Sequence, residues 1–598
     1  MGYEPIENYG VIGDLNTVAL VGMNGSIDFM CFPDFDSPSI FAALLDDKKG
    51  GRFLVAPTME NPRLKQFYLP DTNILLTRFF CEGSIAEVSD FMTVDERGST
   101  NILIRRAKAV RGQVKIRIVC EPRFDYGRQG HRTEQRDGQV FFIPQGEHLP
   151  TLRLRTRARL HIADEAAVGE YTLSAGESLV FLLEVAKHDE TPPSINPDYS
   201  VGAFKETMNF WRNWVGRSNY RGRWREMVNR SALTLKMLTS KTHGSLVAAP
   251  TFGLPEQVGG ERNWDYRFTW IRDASFTLDA LISLGYTEEA AAFMNWIEDR
   301  CNELNPDGSL QIMYGLNGEH DLTEEILPHF EGYRGSSPVR IGNGAYGQLQ
   351  LDIYGELMSA VYLYNKFGDP ISIDLWLNLT RLLDWVSQNW KRKDEGIWEV
   401  RGGRQEFLYS RLMCWVALDR GISLALERSF PAEIMKWRKA RDEIYRDILD
   451  NFWDPKQKFF VQTKRGTSLD ASSLLMPFMK FLGPRDPRWI STLQGIKNNL
   501  ADDSLVHRYN VSDSASDGLS GGEGTFNMCT FWYVENLSRS GDIQQARYIF
   551  EKMLCYANHL GLYSEELGPS GEHLGNFPQA FTHLGLISAA RNLDKKLG

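Results

Sequence analysis

No two cysteines form a Cys-x-x-Cys pair in this sequence, and the seven present, at positions 31, 81, 120, 301, 414, 529 and 555 of 598, are an odd number. That spacing argues against a thiolate zinc site and against a disulfide framework, so buried thiols in a reducing compartment are expected. No apolar run approaches the roughly 20 residues needed to span a bilayer. The opening Met-Gly-Tyr-Glu-Pro-Ile-Glu has neither the basic nor the apolar stretch of a secretory signal. Gly2 formally permits myristoylation, but the Ser or Thr expected at position 6 is Ile6. These absences lead to an expectation of a cytoplasmic protein with no membrane partner. A dense basic run is also missing, and 77 acidic against 67 basic residues give a net charge of −10, which excludes nucleic acid as the expected partner. The glycine-rich residues 518–524 lack the Gly-Lys-Ser/Thr ending of a phosphate loop and follow no buried strand, which disfavours nucleotide binding.

What is present is too long for one core, because single cores stop growing at roughly 250–300 residues. Hydrophobic residues at 42% and charged residues at 24% are ordinary for a folded chain, so no long disordered region is expected. The sequence then divides by its period. Residues 10–190 read as strands and turns. Residues 17–21, the dipeptide Asn24-Gly25 and residues 27–29 form a hairpin signal in which Asn-Gly supplies the positive φ of a type I′ turn. Strands are expected over 102–110, 114–119, 152–162 and 178–185, and the alternation Leu152-Arg153-Leu154-Arg155 suggests a solvated face. An antiparallel β-sandwich over 1–195 follows, closed by the Pro-containing residues 191–199, with a linker over 196–223.

From 224 to 598 the pattern is helical. Helices end at Gly285, Gly368 and Gly541 and restart at Thr287, Asp369 and Asp542, as expected if glycine takes the left-handed position and the next polar residue caps. At roughly 30 residues per helix and loop, this length makes about twelve helices. Twelve suit a closed ring of two concentric layers, an all-α (α/α)6 barrel.

Three loop segments interrupt that pattern with side chains able to do chemistry. Residues 262–273, ending Trp270-Ile271-Arg272-Asp273, present an Arg-Asp pair whose donor fork and carboxylate suit neighbouring hydroxyls of one sugar; the ordinary reading is an N-cap Asp273 beside a surface Arg272. Residues 395–403 set Glu399 beside Trp398 between glycines, where partial desolvation raises a carboxyl pKa and keeps it protonated as an acid. Residues 561–568 carry Glu565 and Glu566, either of which suits activation of water. Read singly, each glutamate is an exposed loop residue. Fifteen Trp and 22 Tyr leave aromatic faces to spare for sugar C–H groups, or for packing between helices. The cluster His320, Asp321, Glu324 and Glu325 is read as a capping or solvated segment; neither a metal nor a cofactor is expected.

In order and spacing, the three segments resemble the family-15 glycoside hydrolases, the glucoamylase and trehalase-like enzymes. The resemblance extends through residues 9–14, 25–28 and 35–38 at the sandwich start and through 248–251, 350–356 and 523–526 in the barrel. It implies that Glu399 is the general acid and Glu565, rather than Glu566, the general base. It also implies that Tyr266 lies under the reacting sugar, that Arg272, Asp273 and Arg508 hold its hydroxyls, and that Trp270 and Trp398 wall the pocket. Two positions depart from the fungal glucoamylases: Val400 replaces a second Glu after the acid, and Phe577 stands where an active-site Trp is expected. The implied activity is inverting hydrolysis that releases β-glucose from the non-reducing end of short α-glucosides, disaccharides or oligosaccharides, with α,α-trehalase as the alternative on the same scaffold. A non-catalytic carbohydrate-binding protein would keep the aromatics but lose a carboxylate. An inverting phosphorylase would need no base, so Glu565 favours hydrolysis. Oligomeric state is left open.

Overall fold

The computed structural model describes residues 2–94, 99–146, 148–186, 197–304, 308–511 and 517–598. Two eight-stranded antiparallel sheets face each other in the first part of the chain. One runs from Tyr9–Gly13 through Val18–Gly22, Ser26–Cys31, Arg52–Pro57, Gln113–Glu121 and Ala166–Ser174 to His161–Ala163, with Ser39–Phe41 paired to Ser26–Cys31. The other orders His131–Arg136, Gln139–Pro144, Leu152–Thr156, Ser178–Val185, Ser99–Arg111, Ser84–Val94, Leu75–Cys81 and Arg63–Tyr68. The two sheets are tied at their centre by Arg105, whose Nε donates to Asp90 Oδ1 at 2.8 Å and whose Nη2 donates to the Gly25 carbonyl at 2.8 Å.

Three local readings need correction. In the first hairpin Gly25 has φ +82° while Asn24 is not among the positive-φ residues, and the register shifts between Leu20 and Val21. The connection is therefore a turn closed by a glycine bulge, not a type I′ turn, because only Gly25 takes the left-handed conformation. The strand expected over 152–162 is two strands in different sheets. Arg153 and Arg155 are buried rather than solvated; both pair with Glu184, at 2.7 and 2.6 Å, so the alternation marks an internal charge cluster.

Helix α1 (Pro197–Gly216) occupies most of the span expected to link the domains and packs on the outer face of the second sheet, with Phe204 edge-on to Phe91. Residues 191–196, part of the stretch expected to close the sandwich, lie outside the described residues. The barrel follows: α2 (Arg225–Met237), α3 (Ala274–Leu284), α4 (Thr287–Asn302), α5 (Ile353–Phe367), α6 (Ile373–Asn389), α7 (Leu408–Arg428), α8 (Ile434–Asn451), α9 (Pro487–Asn499), α10 (Asn527–Ser540), α11 (Ile543–Cys555) and α12 (Ala580–Leu597). An inner ring closes in the order α3, α5, α7, a short 3-10 helix at Ala471–Leu475, α10 and α12, with α12 packing back on α3. The remaining helices form the outer layer. Gly285 and Gly541 take the left-handed cap as expected, whereas Gly368 has φ −106° and the next helix is capped by Ser372, whose side chain accepts from the Leu375 N–H at 3.0 Å. Asp542 caps α11 as expected, but Thr287 is the first residue of α4 rather than its cap.

Sandwich and barrel share a core. Phe252 of the barrel meets Phe29 and Tyr126 of the sandwich edge-on, and Arg267 lies over the Phe252 ring at 4.5 Å. The Arg267 guanidinium also donates to the Ser37 carbonyl at 2.9 Å and the Tyr126 hydroxyl at 3.2 Å while paired with Asp265 at 2.6 Å. Breaking a buried pair strands the other charge at a cost of about 3–5 kcal/mol. Arg267→Ala is therefore expected to lower Tm by several degrees, and a chain beginning at Arg225 to lose solubility because it exposes Phe252 and its neighbours. Thermal melts and soluble yield test both; a soluble, fully active barrel fragment would show that the sandwich has no supporting role.

Candidate active site

The segments singled out in the sequence all lead into inner helices at their N-terminal ends, so the barrel gathers them at one mouth. Residues 263–273 enter α3, 394–407 enter α7, 517–526 enter α10 and 561–579 enter α12. The strand Thr269–Trp270, paired to Met313–Tyr314, fixes the direction of Trp270 and delivers Arg272 to the start of α3. Asp273 occupies the N-cap position of α3 but makes no capping bond; its Oδ1 accepts from Arg272 Nε at 2.9 Å instead. Neither residue is a surface residue, and the carboxylate given up by the helix is available in the cavity.

Glu399 sits in a tight loop with φ +57°, a left-handed backbone that a non-glycine residue adopts at a cost of about 1–3 kcal/mol and that clusters at functional sites. Gly396 (φ +68°) allows the turn, because a Cβ there would lie 2.8 Å from the Phe407 ring. The Glu399 Oε1 accepts from the Trp270 indole N–H at 2.7 Å and from Arg272 Nη1 at 3.2 Å. Burial raises the pKa of this carboxyl, while Arg272 and the Trp270 N–H pull it back. The indole against Glu399 is thus Trp270; the Trp398 N–H donates to Asp470, at 2.9 Å to Oδ2.

Glu565 lines the same cavity. Its Oε1 accepts from the Tyr266 hydroxyl at 2.7 Å, and its backbone is held by Asn576 and Asn527. Gly575 (φ +70°) leaves the space this carboxylate needs, since a Cβ there would stand 2.5 Å from Glu565 Oε2. Burial and then the charge of Glu256 push its pKa up to about 8, against Arg508 and the Tyr266 hydroxyl, which lower it. Burial raises both carboxyls, as the sequence reading expects for Glu399, but Glu399 has a cation beside it whereas Glu565 faces other carboxylates.

Both glutamates, Tyr266, Trp270, Arg272 and Asp273 line one narrow compartment, together with Trp398 and Arg508. A second compartment adjoins it and shares Tyr266, Trp398, Glu399 and Arg508, but not Glu565. Val400 lines the second compartment. Phe577 does not line either compartment; it is fully buried, and the aromatic ring at the cavity is Phe581, over which Arg272 stacks at 5.6 Å. Gln579, Phe526 and Met528 complete the first compartment. Sequence reasoning missed them, and their one common signal is position at the start of α10 or α12.

Behind the cavity, Glu566 is buried and belongs to a charge cluster rather than to the compartments. Arg508 Nη2 stands among Glu523, Glu256 and Glu566, at 2.5, 3.1 and 3.8 Å, and Arg262 joins Asp517 at 2.8 Å. The three glutamates are close enough to surround a cation. The Arg508 guanidinium is already that cation. In the 320–325 segment, Asp321 accepts from Thr323, His320 lies against Glu303, Glu324 pairs with Arg401 and Glu325 with Arg128, so these side chains serve a local turn and ion pairs to other segments, and none occupies the N-cap position of a described helix.

Two carboxyls lining one narrow cavity together with Arg272, Asp273 and Arg508 suit cleavage of a bond between sugars. Residues 222–591 match the family model described as glycosyl hydrolases family 15, and residues 2–162 match the trehalase-like N-terminal model. The chain belongs to glycosyl hydrolases family 15 and is a glycoside hydrolase acting on O-glycosyl bonds. Among its relatives, a trehalase of Mycobacterium tuberculosis is 39% identical over 98% of this chain and 89% of its own length. A trehalase of Thermoplasma volcanium is 37% identical over 100% and 94%, and trehalase 1 of Sulfolobus acidocaldarius 32% over 99% of each. A bacterial glucoamylase crystallised with acarbose superposes with a TM-score of 0.75 over 99% of this chain and 94% of its own at 13% identity, a likeness of fold.

The charge next to Glu565 gives a testable pH effect. A carboxylate acts as a base only when ionised, so activity that needs Glu565 rises as pH passes upward through its pKa. Glu256→Gln removes the neighbouring negative charge and is expected to move the kcat/KM limb that reports Glu565 toward acid by roughly one pH unit, leaving the other limb in place. Two unmoved limbs would show that Glu256 is already neutral in the folded protein.

Proposed function

We propose that this enzyme hydrolyses α,α-trehalose with inversion, Glu399 acting as general acid and Glu565 as general base. The observation that carries the reading is the division of the cavity: Glu399 borders both compartments, Glu565 only one. An acid protonates the oxygen between two sugars and therefore belongs at their junction, whereas the base activates water on the opposite face of the ring under attack. The ring under attack then occupies the compartment of Arg272 and Asp273, and the leaving glucose occupies the second. Trp270 borders the reacting ring, Tyr266, Trp398 and Arg508 border both rings, and the hydroxyl contacts hold the anomeric carbon in line for water. The trehalases among the relatives support the choice of a disaccharide over a longer α-glucoside. The cytoplasm is the compartment that fits seven cysteines free of disulfides. A division into a sandwich over 1–195, a connecting span over 196–223 and a catalytic barrel over 224–598 is consistent with this assignment.

The stereochemistry separates the mechanisms. Inversion at one ring of α,α-trehalose yields one β-glucose, and the leaving glucose keeps its α-configuration, so NMR at early times is expected to find the two anomers in equal amounts; α-glucose alone would mean retention. Glu399→Gln and Glu565→Gln are each expected to lower kcat by roughly 10²–10⁴-fold with the fold intact, since each removes one proton-transfer partner. Near-normal turnover in either variant would remove that residue from the mechanism. Glucose 1-phosphate formed only when phosphate is supplied would mark a phosphorylase, and binding without cleavage a non-catalytic protein.

A further inference from the structure

The wall of the second compartment includes a short segment from another part of the chain. Residues 517–522 cross the acid loop: the Arg401 N–H donates to the Asp517 carbonyl at 2.6 Å, and Gly518 (φ +79°) lies so close that a Cβ would come within 2.4 Å of the Gly402 nitrogen. On the inner side, the Asp517 carboxylate accepts from Arg262 Nη2 at 2.8 Å and from the Tyr509 hydroxyl at 2.9 Å, and it lines the compartment. On the outer side, the Ser520 N–H and Oγ donate to Glu261 Oε1 at 2.8 and 2.6 Å, and the Gly522 N–H donates to Gln257 Oε1 at 2.7 Å. Gly518 and Ser520 are exposed while Asp517 is buried, so the segment is one layer thick, with solvent on one face and the compartment on the other. Leu519 adds an apolar side chain to the same wall.

We infer that residues 517–522 form a strap that restricts the leaving group to a single sugar unit, with Asp517 as its inner latch and Glu261 and Gln257 as its outer anchors. A third sugar attached to the leaving ring would need an exit from the second compartment, and the strap together with Arg401 and Gly402 occupies that wall. The strap contributes no proton transfer. It sets which substrates fit. The inference rests on the assignment of the second compartment to the leaving sugar.

The outer anchors allow a test that leaves the compartment lining untouched. The full-length Glu261→Ala/Gln257→Ala variant removes only side chains that hold the strap from outside, and Asp517→Ala removes the inner latch. kcat/KM is measured for wild type and both variants on trehalose, maltose, maltotriose and maltopentaose, with circular dichroism and thermal melts as the check on folding. Wild type is expected to strongly prefer a disaccharide over maltotriose, and in the outer-anchor variant the ratio of maltotriose to disaccharide is expected to rise by about tenfold through a lower KM for the longer substrate, corresponding to about 1.4 kcal/mol. Asp517→Ala is expected to move the ratio the same way while also lowering disaccharide turnover. An unchanged ratio in a folded outer-anchor variant would overturn the inference, as would a wild type that hydrolyses maltopentaose as readily as a disaccharide. A wild type inactive on trehalose but active on maltose would sink the trehalose reading alone, since the chain-length ratio on maltose and maltotriose still reports the strap.

Discussion

Carboxyl groups held away from water need either a cation or a proton, and the mouth of this barrel has more carboxyls than arginines. Glu256, Glu523, Glu565, Glu566 and Asp517 meet there with Arg262 and Arg508. Removing an ionised carboxylate from water without a partner costs several kcal/mol, so the surplus is met by shifted protonation. Arg262 and Asp517 share one pair, Glu523, Glu256 and Glu566 crowd around Arg508, and burial with mutual repulsion pushes up the pKa values of Glu256, Glu565 and Glu566. Glu399 is treated differently because Arg272 is beside it. The two proposed catalytic carboxyls therefore differ in their electrostatic surroundings although both are buried glutamates.

That arrangement depends on fold geometry at two levels. Inner helices that all begin at one mouth bring loops from four distant stretches of chain within hydrogen-bonding distance: Tyr266 reaches Glu565 across 299 residues and Trp270 reaches Glu399 across 129. The sandwich fixes one of those loops directly. Arg267, next in sequence to Tyr266, is held by Asp265 and by the Ser37 carbonyl and Tyr126 hydroxyl of the sandwich, so the first domain reaches this loop through a residue that lines neither compartment. The proposed strap, residues 517–522, lies on the other side, over the loop that carries Glu399.

Much of this was legible in the amino-acid sequence because local rules are strong where they operate. Period-two and helical patterning divided the chain, Gly285 and Gly541 marked helix ends through a backbone that few other residues tolerate, and Glu399, Glu565 and the Arg272–Asp273 pair stood out as charged side chains in loops between helices. All four come together in one cavity. The failures have one physical origin. Arg153 and Arg155 read as a solvated face because alternation reports which side of a strand a residue occupies and says nothing about a Glu184 waiting on the neighbouring strand. Phe577 and Phe581 are one helical turn apart in sequence, and only the seating of α12 decides that the second faces the cavity. Burial raises the Glu399 carboxyl as the sequence reading expects, but the groups that pull it back, Arg272 and Trp270, come from a segment 127 and 129 residues away. Sequence by itself determined most of the elements, since those follow from side-chain type and local spacing, and it pointed to the class of chemistry and to candidate residues through the family resemblance carried by the three loop segments. Tertiary structure alone decided which charges meet, because electrostatic energy depends on distance through space and on exclusion of water, and neither is a property of neighbours along the chain.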